Sequence, residues 1–133
     1  MRPEVLDKYD RQVPRYTSYP TAPHFHDGVD ADVYRQWLSV IEEDASLSLY
    51  VHIPFCHSLC WFCGCHTKIV NRYGPIADYQ ALLRREVESI AQQLPGRRRV
   101  THVHFGGGTP TALTAEDFEA LVVLFRRCFD FAP

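Results

Sequence analysis

The feature that most constrains the fold of this chain is an alternation of strand-like and helix-like segments. Leu47–Ile53 has apolar residues at every second position, which is strand periodicity, and Pro54 ends it because proline cannot donate a ladder hydrogen bond. A helical stripe follows over Asp78–Leu94, a second strand over Val100–Phe105, and a helix capped by Thr114. This order predicts an α/β fold with a parallel sheet and helices packed outside it.

Two loops of unusual composition follow the two predicted strands. The first spans residues 56–65 and holds four of the five cysteines, and the second is the run from Gly106 to Pro110. Because the carboxyl ends of parallel strands meet at one edge of a sheet, we expect these loops to face each other there. In parallel α/β folds this edge binds ligands. The sequence therefore predicts one ligand site built from both loops.

The cysteine loop has the spacing of a metal or cluster site. Cys56, Cys60 and Cys63 follow the pattern C-x3-C-x2-C, and at ~100° per residue their thiols can point in one direction, whereas Cys65 projects away from Cys56. A four-iron cluster ordinarily takes four thiolates, so three leave one iron open. An open coordination position is where a substrate or cofactor binds.

Structural roles without catalytic chemistry are alternatives for these cysteines and for other residues. Three of the cysteines could bind structural zinc with His57 or His66, although zinc usually takes two separated pairs. Cys128 lies on the apolar stripe of the last helix, which indicates core packing. We expect structural roles for three histidines that lie in the predicted strands, where they would be partly buried: His52, His102 and His104. We expect the arginine run after the Pro-Gly turn to be solvated on the surface: Arg97, Arg98 and Arg99.

Composition excludes several classes of protein. The chain has 133 residues with 14 basic and 16 acidic side chains, a net charge of −2, which argues against a nucleic-acid binder that works through overall charge. The longest apolar run, Ala120–Phe125, is far too short to span a bilayer, and the first ten residues lack the apolar core of a secretory signal. We therefore expect a cytoplasmic protein that binds neither nucleic acid nor membrane.

The N-terminal third has a different character from the rest. Residues 1–29 contain four prolines and show no sustained period, which indicates an extended arm, and Asp30 could cap a helix with apolar positions from Val33 to Ile41. We expect an arm and helix over residues 1–45 and the α/β domain over residues 46–133.

The glycine run is a weak signal alone, but its place after a strand gives it meaning. Glycines let backbone groups approach a ligand closely. No Lys-Ser/Thr follows Gly106–Pro110, which disfavours a phosphate-binding P-loop, and no G-x-G-x-x-G is present, which disfavours a dinucleotide site.

Two segments resemble one known family. C-x3-C-x2-C looks like the cluster motif of the radical S-adenosylmethionine (SAM) superfamily, and the longer string from Tyr50 to Cys65 is similar to oxygen-independent coproporphyrinogen III oxidases, including the extra Cys65. The segment from Pro14 to Ala22 also resembles the N-terminal segment of these oxidases. A related haem-chaperone branch shares Tyr50 to Cys63, but it usually lacks the extra cysteine and lacks the arm.

The resemblance implies a fold and a set of cofactor residues. The chain would form the first two βα units of a partial (β/α)6 barrel, and the acidic residue that holds the SAM ribose would lie beyond residue 133. Three cysteines would bind a 4Fe-4S cluster, and the family binds two SAM molecules. By position the metal ligands are Cys56, Cys60 and Cys63, the contacts to the first SAM are Tyr50 and Gly107, and the contacts to the second are Phe62, Gly108 and Thr109.

The resemblance also implies a reaction and partners. A 5′-deoxyadenosyl radical made from SAM at the cluster would oxidatively decarboxylate coproporphyrinogen III to protoporphyrinogen IX in haem biosynthesis. An electron donor such as flavodoxin or ferredoxin would reduce the cluster of a monomeric enzyme. Because only two of about six strand–helix units are present, we expect a truncated chain with little or no turnover and an unpaired edge on its second strand. The alternatives are a haem chaperone-like radical SAM protein and a non-catalytic metal-binding domain.

Overall fold

The computed structural model describes residues 3–10 and 20–131. The chain divides into two compact units, Met1–Ala31 and Asp32–Pro133. The first contains helix α1 (Pro3–Tyr9) and a 3-10 turn (Ala22–His24). Most of the segment from Pro14 to Ala22 that carries the family resemblance lies outside the described residues.

Helix α1 corrects the expectation of an extended arm at this point of the chain. Pro3 is the first helical residue, where its missing N–H and fixed φ are compatible with a helix. Glu4 in the first turn and Lys8 in the last complement the helix dipole. The prolines suggested an extended chain because a proline that starts a helix and one that prevents it look alike in sequence.

The second unit contains a main parallel sheet, a separate two-stranded pair and two long helices. Helix α2 (Ala31–Ser39) begins one residue before the start of this unit at Asp32. The other regular elements are β1 (Leu47–Ile53), β2 (Phe55–Cys56), β3 (Lys68–Ile69), α3 (Gly74–Gln93), β4 (Arg99–Gly107), a 3-10 turn (Pro110–Ala112), α4 (Ala115–Cys128) and β5 (Asp130–Phe131). The main sheet has the order β1-β4-β5, and β2 and β3 form a separate parallel pair. The predicted parallel sheet is thereby confirmed.

The register of the sheet aligns the ends of its two long strands. β1 and β4 pair in parallel, and their last partners are Ile53 and Gly107. β5 continues the sheet but pairs with β4 only at Arg99 and Val100, so among the described residues the rest of that edge of β4 has no strand beside it. The expected open edge is present over most of β4.

The core lies between the sheet and helices α3 and α4. Val51 and Ile53 are buried on the face of β1 that the alternation predicted, and Tyr50 on the opposite face is exposed. The side chains buried most deeply in this layer are Ile53, Ile76, Val100 and Leu121. At 25 cal/mol per Å2 each such side chain contributes ~1.5–3 kcal/mol to stability.

The ends of the helices follow from local sequence. α3 begins at Gly74, four residues before the predicted start, because Pro75 is tolerated in a first turn, and it ends before Pro95-Gly96. The predicted cap of α4 is confirmed, since the Thr114 side chain accepts a hydrogen bond from the backbone N–H of Asp117 at 3.2 Å. Cys128 packs partly buried against the core, as expected.

Two predictions of side-chain burial need correction. Arg98 is buried at 5% exposure and donates to the carbonyl of Ile41, whereas the sequence pattern placed all three arginines in solvent. It precedes β4 directly, where the chain enters the sheet layer. His102 and His104 are exposed rather than partly buried, since both lie on the face of β4 opposite the helices.

Tyr79 ties α3 to the strand that leads into the cysteine loop. Its hydroxyl donates to the carbonyl oxygen of His52 at 2.6 Å, and its ring meets Phe55 edge-on with centroids 5.5 Å apart. Burial, and secondly the nearby Glu86, raise the pKa of the Tyr79 phenol. The neutral hydroxyl is therefore the form that the fold prefers.

We expect Tyr79→Phe to lower the free energy of unfolding by about 1 kcal/mol near neutral pH, because it removes this hydrogen bond and keeps the ring. A phenol whose pKa is raised on folding stabilises the fold below about pH 10 and loses that contribution as pH rises through the folded value. The difference in free energy of unfolding between wild type and Tyr79→Phe should therefore become smaller above that pH. Urea unfolding at several pH values measures it, with half-exposed Tyr34→Phe as a control expected within ~0.5 kcal/mol of wild type.

Candidate functional site

The two unusual loops border one cavity at the carboxyl ends of β1 and β4. The cavity has a volume of about 510 Å3. Both loops contribute to its wall, as their positions after parallel strands predicted. Its lining includes Cys56, Cys60, Phe62, Cys63, Cys65, Thr67, Gly107, Gly108 and Thr109.

Cys56 is the one cysteine of the loop that is held inside the structure. It is buried at 9% exposure, and its sulfur receives a hydrogen bond from the Thr67 hydroxyl at 3.2 Å and lies 3.3 Å from the Thr109 hydroxyl. The hydroxyls of Thr109 and then Thr67 lower the pKa of the Cys56 thiol, against the opposing effect of burial. The site thus favours the thiolate, the form that binds metals.

A short parallel pair of strands closes the cysteine loop. β2 pairs with β3 through Phe55 opposite Lys68 and Cys56 opposite Ile69. Two further backbone bonds hold the join: Lys68 N–H donates to the Pro54 carbonyl at 2.6 Å, and Val70 N–H donates to the Cys56 carbonyl at 2.9 Å. The chain that leaves Cys65 therefore returns beside Cys56, a feature that sequence reasoning missed although the β-branched residues of Thr67–Val70 are typical of a strand.

The glycine loop packs directly against the cysteine segment. The amides of Gly108 and Thr109 donate to the carbonyls of Ile53 and Phe55 at 2.9 and 2.8 Å. A Cβ on Gly108 would lie 2.5 Å from the Thr67 hydroxyl and 2.8 Å from the Cys56 sulfur, and one on Gly107 would lie 2.7 Å from the Ile53 carbonyl. Gly107 also has a φ of 106°. Glycine is required here for the approach of one loop to the other.

The other cysteines of the loop are exposed, and Cys65 lines the same cavity as Cys56. A helical count placed Cys65 away from Cys56, but this loop is not a helix, so that expectation is corrected. Cys63 N–H donates to the Cys60 carbonyl at 3.1 Å, which forms a turn between them. The neighbouring Cys63 raises the pKa of the Cys65 thiol, both by charge and by a hydrogen bond. Within residues 3–10 and 20–131, no three Cys, His, Asp or Glu side chains converge closely enough to hold a single metal ion.

Tyr50 lies beside the glycine loop but outside this cavity. Its hydroxyl is 3.1 Å from His52 Nδ1, and His52 Nε2 is 3.1 Å from the His66 carbonyl oxygen. Because a carbonyl only accepts, Nε2 carries the proton, and the Tyr50 hydroxyl donates to Nδ1. The Tyr50 ring also stacks on His104 with centroids 5.8 Å apart. This set of contacts joins the open face of the sheet to the end of the cysteine loop.

Phe62 and Trp61 project from the tip of the cysteine loop. Their exposures are 101% and 99%, so neither ring packs beneath the loop. Phe62 borders the cavity, as a ring that covers a ligand would. Fully exposed aromatic rings are costly to leave in water, which makes them candidates for contact with a bound molecule.

The donor set of this site fits an iron–sulfur cluster in its chemistry. Thiolates are soft ligands that select iron–sulfur clusters, zinc or copper(I) over hard cations. One thiolate is already favoured by two hydroxyls at Cys56, and Cys60 and Cys63 lie on an exposed turn of the same cavity. Metal binding often organises a site of this kind as the ligands close around it.

Comparison with known proteins identifies the class. The profile of the Radical SAM superfamily matches residues 50–130, which include both loops, so the chain belongs to the radical SAM superfamily. Among its relatives, the oxygen-independent coproporphyrinogen III oxidase of Bradyrhizobium diazoefficiens is 48% identical over 134 residues, and that of Escherichia coli is 44% identical over 128 residues.

A solved structure of this family is also similar to the chain in its fold. The solved structure of coproporphyrinogen III oxidase from Escherichia coli, a radical SAM enzyme, matches 97% of this chain with a TM-score of 0.82 and 38% identity. The match spans 28% of that enzyme, and the chain spans 30% of the Bradyrhizobium relative. In the described part of the chain no helix has the length and apolar character needed to cross a membrane.

Proposed function

We propose that this chain forms the cluster-binding first two βα units of a partial (β/α)6 barrel in an oxygen-independent coproporphyrinogen III oxidase. The observation that carries the proposal is the cavity of about 510 Å3 in which the three-cysteine loop and the glycine loop lie together. The substrate, coproporphyrinogen III, is the one named for the relatives of this chain. A small electron-transfer protein such as flavodoxin or ferredoxin would supply electrons to a monomeric enzyme.

Cys56, Cys60 and Cys63 would hold a 4Fe-4S cluster. When bound, the cluster with SAM supplies the radical that begins the oxidative decarboxylation of a propionate side chain. Cys56 provides a thiolate fixed by hydroxyls, and the exposed turn at Cys60 and Cys63 closes on the same cavity. With three protein ligands, one iron remains free to take a cofactor.

The SAM contacts would come from residues that line the cavity and from Tyr50, which lies beside the glycine loop. Gly107, Gly108 and Thr109 line the cavity beside Cys56, and Phe62 adds a fully exposed ring to the same lining. The first SAM would contact Tyr50 and Gly107, and the second would contact Phe62, Gly108 and Thr109. Tyr50 is held in place by its bond to His52 and its stacking on His104, which fixes a hydroxyl next to Gly106. These residues would bind and orient the two SAM molecules.

Anaerobic reconstitution tests the cofactor assignment. The chain incubated with iron, sulfide and reductant should bind about four iron and four sulfide per molecule and show the brown charge-transfer absorption of a cluster. SAM should change the electron paramagnetic resonance spectrum of the reduced cluster, because it binds the open iron. Tight binding of zinc with no cluster would instead identify a metal-binding domain, and stoichiometric haem binding would identify a haem chaperone.

A chimeric enzyme tests the substrate assignment. This chain replaces the matching 27% of the Escherichia coli relative, to which it is 44% identical. The chimera should convert coproporphyrinogen III to protoporphyrinogen IX anaerobically with SAM and a reductant. A chimera that carries the cluster and cleaves SAM but leaves coproporphyrinogen III unchanged would contradict the proposed substrate and leave the cofactor assignment intact.

A further inference from the structure

We propose that Thr67 is a positioning residue of the cluster site, whose hydroxyl donates a hydrogen bond to the Cys56 sulfur and thereby sets the reduction potential of the cluster. This inference rests on the proposed function, because it concerns the ligand that Cys56 would provide. The Thr67 Oγ1 to Cys56 Sγ distance is 3.2 Å, within range for a hydrogen bond to sulfur. Thr67 is not among the residues that the family motif assigns to SAM or iron.

The backbone around Thr67 fixes the position of this hydroxyl. Thr67 immediately precedes β3, which pairs with the strand that contains Cys56. The bonds from Lys68 N–H to the Pro54 carbonyl and from Val70 N–H to the Cys56 carbonyl hold the chain on both sides of that pairing. The two residues are 11 apart in sequence and meet because β2 and β3 are parallel neighbours. A donor held by strand pairing keeps its geometry while the exposed turn rearranges around a metal.

The glycine loop leaves room for this contact. A Cβ at Gly108 would come within 2.5 Å of the Thr67 oxygen and 2.8 Å of the Cys56 sulfur. The absence of a side chain at Gly108 therefore permits sulfur and hydroxyl to meet. Thr109, whose hydroxyl lies 3.3 Å from the same sulfur, provides the second hydroxyl of the pair. Both hydroxyls line the cavity with Cys56.

The sulfur competes with one other acceptor for the Thr67 proton. Thr67 Oγ1 also lies 3.3 Å from the Pro54 carbonyl oxygen, and a hydroxyl has a single proton to donate. The Pro54 carbonyl already accepts from Lys68 N–H at 2.6 Å. A thiolate carries charge, and hydrogen bonds to charged groups are the stronger ones. The hydroxyl therefore donates to the Cys56 sulfur when that sulfur is a metal ligand.

A hydrogen bond to a ligand sulfur favours the reduced cluster, because reduction adds negative charge that the donor stabilises. In the reconstituted chain, Thr67→Val removes the donor and keeps a β-branched side chain of similar shape. We expect the ratio of reduced to oxidised cluster at a fixed potential to fall about tenfold, a shift of about 59 mV to more negative potential for a one-electron couple. Redox titration followed by electron paramagnetic resonance measures it.

Two variants separate the hydroxyl from the rest of the side chain. Thr67→Ser keeps the donor and should restore the potential of wild type. Thr101→Val makes the same change at the far end of β4, where the hydroxyl donates to the Leu47 carbonyl, and should leave the potential unaltered. If Thr67→Val assembles no cluster while Thr67→Ser does, the hydroxyl is likewise shown to act on the cluster site.

The outcomes distinguish this inference from the proposed function. A wild-type chain that assembles a cluster, with the same potential in Thr67→Val, overturns the role of Thr67 and leaves the cluster assignment intact. An equal fall of the reduction potential in Thr67→Val and Thr67→Ser also overturns the role of the hydroxyl, because Thr67→Ser keeps the hydroxyl and removes only the methyl group. A wild-type chain that assembles no cluster refutes the proposed function and, with it, the role of Thr67.

Discussion

Replacing Cys63 with alanine is expected to abolish assembly of the iron–sulfur cluster, whereas replacing Cys65 is expected to leave it in place. Loss of an outer-shell partner already lowers metal affinity by about 10–100-fold, and loss of a ligand should cost at least as much. The bound iron in Cys63→Ala should therefore fall by at least about tenfold. Iron and sulfide analysis after anaerobic reconstitution, together with visible absorption, measures both variants.

The reason for the difference is position along the loop. Cys63 follows Cys60 on one turn, with its N–H bonded to the Cys60 carbonyl. Cys56, Cys60 and Cys63 have the C-x3-C-x2-C spacing that resembles the cluster motif of the radical SAM superfamily, whereas Cys65 lies outside that spacing although it lines the same cavity. Both Cys63 and Cys65 are exposed, so accessibility alone does not distinguish them.

The pair of variants also provides its own control. Cys63 and Cys65 are two residues apart on the same exposed loop, and each change removes one thiol. Cys128→Ala, on α4, removes a thiol remote from the site and should keep full cluster content. Loss of the cluster in Cys65→Ala with retention in Cys63→Ala would refute the ligand set and leave Cys56, Cys60 and Cys65 as the thiols to test.

Periodicity was sufficient to predict the main layers of this fold. Alternation over β1 predicted which face Val51 and Ile53 bury, and the order of strands and helices predicted the parallel pairing that aligns Ile53 with Gly107. These features depend on hydrophobic patterns that span several turns or pleats. Thr114 was identifiable as a cap because capping is a local interaction over three residues.

The features that sequence reasoning missed depend on contacts between distant segments. Thr67 meets Cys56 only because β2 and β3 pair, and each of these strands has two residues, too few to show a period. Arg98 looked solvated within an arginine run, but its side chain is buried and bonded to Ile41, 57 residues away in sequence. A short motif predicts which residues could act chemically, and tertiary contacts decide how each side chain is held.

The glycine loop gives the second large expected effect. Gly108→Ala should lower the free energy of unfolding by about 1–3 kcal/mol and impair cluster assembly, since overpacking at a close contact displaces backbone. Its Cβ would meet the Phe55 carbonyl at 2.6 Å, as well as the Thr67 hydroxyl and Cys56 sulfur. A carbonyl of a paired strand cannot move aside as the end of a flexible side chain can. Urea unfolding of the metal-free chain measures the stability, and iron content measures assembly.

Two other glycines separate crowding from backbone conformation. Gly74→Ala, at the first residue of α3 with nothing within 4 Å of the new Cβ, should leave stability unchanged or raise it by about 0.4–1 kcal/mol. Gly96→Ala has equally open space but a φ of 93°, so it should cost only the ~1–2 kcal/mol of a left-handed conformation and leave iron content at the wild-type level. Gly108 has no positive φ, so its cost comes from close contact alone. If Gly108→Ala retains both wild-type stability and full cluster content, the two loops do not pack as tightly as their contacts indicate. Glycine would then not be required at position 108 for the cavity to form.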